Sequence, residues 1–257
     1  MRTILCIDIG NTNIVFGLYG DGKMMAHWRI ATDHERTADD YGVLLLDLFA
    51  HQGHQPEEVE GVAMASVVPP LTLTFTELSR RYLKQEALVI GVGVKTGVNI
   101  RYDNPREVGA DRIANAVAAY RHYGGPCCVV DFGTATTFDA ISREGDYLGG
   151  AIAPGIVIAS EALFTRTAKL PRVELVRPRK VIGSNTTEAI QSGLIFGYVG
   201  LVEGIVSRFR QELGEDLKVV ATGGLAEVIA KETEAIQTVD PFLTLEGIRL
   251  VYEMNQS

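Results

Sequence analysis

Two short stretches carry the residue types that phosphate chemistry needs. In Leu5-Cys6-Ile7-Asp8-Ile9-Gly10-Asn11-Thr12-Asn13 and in Cys128-Val129-Val130-Asp131-Phe132-Gly133-Thr134-Ala135-Thr136, an apolar run of strand type ends in Asp-x-Gly, followed by hydroxyl and amide side chains. A glycine at that point lets the backbone turn tightly enough to approach phosphate with its N–H groups. Beyond the loops, Ile14, Phe16 and Leu18, and likewise Phe138 and Ala140, alternate with other residues up to Gly20-Asp21-Gly22 and Arg143-Glu144-Gly145-Asp146. Each copy therefore reads as strand, tight loop, strand and hairpin turn. A third Gly-rich strand end, Thr222-Gly223-Gly224, offers a glycine pair on which a planar base can lie flat. Three such contact sets suit one nucleotide and predict nucleotide-dependent phosphoryl transfer, which needs positioning, a divalent ion to spread phosphate charge and a base near the acceptor hydroxyl. The sequence has no Gly-x-x-x-x-Gly-Lys-Ser/Thr loop, and its first loop does not match Gly-x-Gly-x-x-Gly. A P-loop enzyme and a dinucleotide-binding half are thereby set aside.

A plan repeated at half the chain length predicts an α/β protein of two domains of like fold, facing each other across a cleft with one loop from each wall. We place the division near residue 115, giving domains 1–115 and 116–257. In the first, 24–30 reads as a third strand with Trp28 as a packing residue, and Thr37-Ala38-Asp39-Asp40 opens a helix with Tyr41, Leu44, Leu45, Leu48 and Phe49 on one face. A strand over 62–68, a helix over 71–83 and a strand over 87–90 follow, then a Gly-rich loop over 91–104. Pro105 opens a helix to Tyr123 that bridges the halves. Gly109 then falls mid-helix, where it costs ~1 kcal/mol relative to Ala unless something, such as a substrate, packs against the backbone. In the second half, 148–155 joins a strand to a helix over 156–167, and its small residues permit close backbone approach. Asn185-Thr186-Thr187-Glu188 starts a long helix through Leu213, with Gly193, Gly197, Gly200 and Gly204 on a small-residue face. Strands over 218–221 and 236–239 and helices from Leu225 and over 242–252 complete the chain.

Composition bounds the partners. The chain has 257 residues, 46% hydrophobic and 22% charged, enough for one large or two medium cores. A formal net charge of −8 and no basic stripe argue against nucleic acid as a partner. The N-terminus enters a strand directly, and no unbroken apolar run reaches the ~18 residues of a membrane span, so a cytoplasmic protein with no membrane partner is expected. Cys6, Cys127 and Cys128 fall in expected strands and read as core filler rather than metal ligands.

The set Asp8-Ile9-Gly10-Asn11-Thr12-Asn13, Gly109-Ala110-Asp111-Arg112, Asp131-Phe132-Gly133-Thr134-Ala135-Thr136-Thr137, Gly149-Gly150 with Pro154-Gly155, and Thr222-Gly223-Gly224 closely resembles the type III pantothenate kinases, in order and along essentially the whole chain. The resemblance implies two actin-like, ribonuclease-H-like domains of the acetate-kinase, sugar-kinase, Hsp70 and actin superfamily. It also implies ATP-dependent phosphorylation of pantothenate to 4'-phosphopantothenate, the first step of coenzyme A biosynthesis, by a cytoplasmic homodimer that needs Mg2+ and a monovalent cation, K+ or NH4+. Carried onto this chain, Asp8, Ile9, Gly10, Asn11, Thr12, Asn13, Ile14 and Val15 would bind ATP, with Asp8 near the Mg2+. Thr134, Gly223 and Gly224 would join them on the nucleotide. Tyr102, Gly109, Ala110, Asp111 and Arg112 would bind pantothenate, Asp111 taking the hydroxyl proton, and Thr186 would reach substrate from the partner subunit. Asp131 matches the monovalent-cation ligand.

Plainer roles stand beside these. Asp111 and Arg112 could form a solvated surface pair, Thr186 could be a helix cap, and Asp131 could cap its turn from backbone N–H groups. A noncatalytic regulator on the same scaffold is the rival function, disfavoured by the joint presence of Asp8, Asp111 and Asp131. A chaperone-type ATPase would need a peptide-binding domain for which 257 residues leave no room.

Overall fold

The computed structural model describes residues 3–256. It divides into two compact units, one comprising Met1–Val98, Asp103–Ala118 and Leu243–Ser257, the other Asn99–Tyr102 and Ala119–Phe242.

In the first unit, strands β1 (Thr3–Ile9), β2 (Asn13–Gly20) and β3 (Lys23–Ala31) form an antiparallel meander. Helix α1 (Ala38–His51) leads to β4 (Gly61–Ser66), helix α2 (Pro69–Leu78) and β5 (Ala87–Val89), and the parallel strands β4 and β5 complete a sheet of order β3-β2-β1-β4-β5. Central β1 is apolar from Ile4 to Ile9 except at Asp8, which suits a strand covered on both faces. A reciprocal capping box fixes the start of α1: Thr37 Oγ1 accepts from Asp40 N at 3.3 Å, and Thr37 N donates to Asp40 Oδ2 at 2.9 Å. Its buried face, Tyr41, Leu45 and Phe49, covers the sheet, and Trp28 stacks on Phe49 with ring centroids 5.1 Å apart.

A single 3-10 turn over Pro105–Glu107 precedes helix α3 (Ala110–Tyr123), whose residues to Ala118 belong to the first unit. The second unit repeats the scheme. Strands β6 (Cys127–Phe132), β7 (Ala135–Ile141) and β8 (Tyr147–Pro154) form the meander, helices α4 (Ile156–Arg166) and α5 (Thr186–Leu213) follow, and β9 (Lys218–Gly223), helix α6 (Ala226–Ala230) and β10 (Thr238–Val239) lead to helix α7 (Leu243–Met254) of the first unit. Its order is β8-β7-β6-β9-β10, the same arrangement as the first sheet, so the repeat in sequence is a repeat in fold.

Three expectations change. Residues 147–154 are strand β8 rather than a connector; their Gly-rich composition masked a ladder to β7. Helix α7 packs on the first sheet, not the second, so a division at 115/116 separates it from its neighbours. Thr244 Oγ1 donates to Asn115 Oδ1 at 2.8 Å, Gly247 lies flush on the backbone of Ala114, and Leu245 fills the space beside Gly17. Third, α5 is 28 residues long and contains an 18-residue window of mean hydropathy 1.5, long and apolar enough to cross a membrane although polar residues interrupt its apolar run. Its buried Ile190, Leu194, Val199, Val202 and Val206 pack into the core of the second unit. The three cysteines are free and buried, and burial pushes their thiols up, Cys127 to about 12.

Candidate active site

Asp8 sits half-buried near the end of β1, between Val15 of β2 and Ala65 of β4. The turn beyond it closes with Gly10 N donating to Asn13 O at 3.0 Å. Asn11 and Thr12 are exposed, whereas Ile9 and Ile14 are fully buried. Only the backbone of those two isoleucines is therefore available to a ligand.

Asp131 has the equivalent place in β6, between Thr137 of β7 and Thr222 of β9. Asp8 pairs with Val15 but Asp131 with Thr137, so the second turn is one residue shorter than the first. Two glycines make room for the Asp131 carboxylate: a Cβ on Gly223 would lie 2.6 Å from Oδ1, and one on Gly133 would lie 3.5 Å away. Gly223 also has φ +90, a backbone conformation that favours glycine. Gly155, just before α4, lies directly against this turn, where a Cβ would overlap the Thr134 carbonyl oxygen and come within 2.8 Å of Gly133 O. Its close approach serves the loop of its own chain. Thr134 is exposed at the tip, and Gly224 is exposed just past β9.

Gly109 is not mid-helix. Its carbonyl accepts from Ile113 N at 3.1 Å, the first bond of α3, and the space beside its Cα is filled by the carboxylate of Asp111. The helix-interior penalty thus does not arise, because the 3-10 turn after Pro105 ends before Gly109. Asp111 stands in the first turn of α3, half-buried, with Oδ1 accepting from Arg112 N at 2.8 Å. Burial pushes its carboxyl above the ordinary carboxylate range, opposed in part by that N–H and by the Arg112 charge. Ala110 and Arg112 are both buried, so Asp111 and Arg112 are not a solvated surface pair.

Within the first unit the structure brings two of these sets together. Val67 N donates to Ile9 O at 3.1 Å, and a Cβ on Gly109 would lie 3.4 Å from Val67 Cγ1, so the start of α3 adjoins the end of β4 beside the first loop. Val67 was not legible as a site neighbour in an apolar strand run. Tyr102 falls in the second unit, its ring 6.4 Å from that of Tyr147 and against Gly149. Thr186 is exposed as the first residue of α5. The cap there is Asn185, whose Oδ1 accepts from Glu188 N at 2.9 Å, so capping does not account for Thr186. Among the described residues, no group of three or more His, Cys, Asp or Glu side chains could hold a metal ion.

Two units of one sheet plan, each with an Asp-x-Gly turn after its central strand, define a protein of the actin-like, ribonuclease-H-like fold class. The sequence profile of that class which matches is "Type III pantothenate kinase", over residues 4–208, and the chain belongs to this family. It is 58% identical to the type III pantothenate kinase of Moorella thermoacetica over 98% of this chain and 99% of that one. With the type III pantothenate kinase of Brevibacillus brevis it shares 56% identity over 99% and 100%. Solved structures support the fold alone. A putative Baf family transcriptional activator from Campylobacter jejuni superposes with TM-score 0.62 at 21% identity, covering 98% of each chain. The ethanolamine utilization protein EutJ of Carboxydothermus hydrogenoformans gives 0.56 at 13%, over 98% of this chain and 90% of that one.

Proposed function

We propose that this chain transfers the γ-phosphoryl group of ATP to pantothenate, giving 4'-phosphopantothenate and ADP, the first step of coenzyme A biosynthesis. The observation that carries the proposal is more than 50% identity to kinases of this name over nearly the whole chain. In this reading the first loop, Asp8 to Val15, binds the ATP phosphates with Thr134 of the second, while Gly223 and Gly224 border the adenosine. Gly109, Ala110, Asp111 and Arg112 hold pantothenate, joined by Tyr102 and by Thr186 of the partner subunit. Asp111 takes the proton of the 4'-hydroxyl as its oxygen bonds to phosphorus and ADP leaves. A carboxylate whose pKa burial has raised is a stronger base than a solvated one, which supports that role.

The donor sets fit the implied ions. With no all-protein divalent cage among the described residues, a Mg2+ would be held through phosphate oxygens with Asp8 behind them, as that ion commonly is, and it would neutralise phosphate charge. Asp131, with glycine on two sides, offers one carboxylate and backbone oxygens, a set suited to a large monovalent cation such as K+ or NH4+.

The homodimer is supported by α5. Gly193, Gly197 and Gly200 are exposed, and a Cβ on any of them would meet nothing within 4 Å, so the glycine face is left unpacked by its own chain. We further place the enzyme in the cytoplasm, with neither nucleic acid nor membrane as partner, on its net charge of −8 and on the core packing of α5. A coupled ADP-release assay with pantothenate against a panel of hydroxy acids and sugars tests the proposal. Turnover confined to pantothenate is expected; turnover of another acceptor, or none, would favour a different kinase or the noncatalytic regulator.

A further inference from the structure

The first phosphate loop is braced from behind by a residue outside it. Thr32 directly follows β3, half-buried. Its Oγ1 donates to Gly10 O at 2.7 Å, and its backbone N donates to Thr12 O at 3.0 Å. The carbonyl oxygens of Gly10, Thr12 and Asn13 are thus all taken by donors of the chain itself, the last by Gly10 N. In a trans peptide the C=O and the following N–H point in opposite directions. Fixing the carbonyls of Gly10 and Thr12 toward Thr32 therefore turns the N–H groups of Asn11 and Asn13 the other way.

We infer that Thr32 is a positioning residue for nucleotide phosphate: it holds two loop carbonyls back so that the N–H groups of Asn11 and Asn13 are presented to the anion. The inference rests on the ATP-binding role proposed for this loop. A loop free to rotate those peptides would turn carbonyl oxygens toward phosphate, where like partial charges repel. Thr32 is itself anchored. At the next residue, Asp33 N donates to Tyr41 Oη at 2.9 Å, and Tyr41 Oη donates to Asp33 O at 2.8 Å. The Tyr41 ring is 1% exposed and packs on Phe75 at 4.8 Å, so the strap is tied to the core. The second loop is backed differently, by Gly155, and so gives the two loops independent supports.

The test compares Thr32→Val, which keeps the shape and the N–H bond but loses the hydroxyl donor, with Thr32→Ser, which keeps the donor. Dissociation constants for Mg-ADP are measured by calorimetry, and KM for ATP and for pantothenate by the coupled assay. Thr32→Val is expected to weaken Mg-ADP binding and raise KM for ATP about fivefold, the size of one net hydrogen bond. Its KM for pantothenate should stay within about twofold, and Thr32→Ser should restore nucleotide binding. Nucleotide binding unchanged in Thr32→Val, no rescue by Ser, or both KM values rising together would overturn the positioning role. Because calorimetry needs no acceptor, failure of the wild type to use pantothenate would overturn the proposed substrate while leaving the Thr32 comparison decisive.

Discussion

Gly155→Ala isolates the contribution of the second loop. Gly155 has φ −70 and ψ 152, which any residue adopts, so the substitution carries no backbone penalty and its cost is steric. The added methyl would overlap the Thr134 carbonyl oxygen and sit 2.8 Å from Gly133 O, against atoms of a backbone turn rather than the end of a flexible side chain. Relief requires the turn and the start of α4 to separate by on the order of 1 Å. Overpacking of this kind costs about 1–3 kcal/mol. At roughly 2–4 °C per kcal/mol for a chain of this size, the melting temperature should fall by several degrees, with the fold retained. If Thr134 contacts ATP, a displacement on the order of 1 Å should lower kcat/KM for ATP about 100-fold. An ATP titration at saturating pantothenate, with a parallel melting curve, reads both quantities. A variant with kcat/KM within twofold of wild type and an unchanged melting temperature would refute the packing of Gly155 on the loop. A lowered melting temperature with normal kcat/KM would instead remove Thr134 from the nucleotide site.

Asp111→Asn should keep nucleotide binding and lose about 10²–10⁴-fold in turnover, and near-normal turnover at saturating pantothenate would remove Asp111 as the base. Because burial raises the Asp111 pKa in the fold, that group's contribution to stability is greatest below its unfolded pKa and declines as pH rises through the folded value, so Asp111→Asn should melt higher than wild type at neutral pH. For the same reason the acid limb of kcat/KM for pantothenate should lie above the ordinary carboxylate range; a limb at or below it would contradict the assignment. Replacing the potassium salt with tetramethylammonium at equal ionic strength should lower the wild-type rate, whereas Asp131→Asn should be slow in both; equal wild-type rates would leave Asp131 only a turn cap. Gly197→Leu meets open space in the single chain and improves helix propensity by about 0.5–1 kcal/mol, so it should fold, yet sediment as a monomer if a second copy covers that face. A dimer unchanged from wild type would place the interface elsewhere.

The repeated strand, loop and strand were readable in sequence because alternation along β1, β2, β6 and β7 and the Asp-x-Gly turns between them are local properties of the chain. The start of α1 was readable for the same reason, since Thr37 and Asp40 lie three residues apart, whereas the cap of α5 is Asn185 and not the Thr186 that the sequence offered. Tertiary structure decided what lies far apart in sequence. Leu243–Met254 follows the second sheet in the chain but buries its apolar face on the first, where its Leu245, Tyr252 and Gly247 fit against Gly17, Gly61 and Ala114. The glycines in β8 looked like connector until their backbone was paired with β7, since a ladder is made by main-chain groups that composition does not report. Gly109 changed meaning when the helix began at Ala110, five residues after the Pro105 start that the chain pattern suggested, and its neighbour proved to be the Asp111 carboxylate. Residue types thus named the loops and the family resemblance named the candidate base, while the supports that hold the loops, Thr32 on Gly10 and Gly155 on Thr134, exist only once distant backbone segments meet.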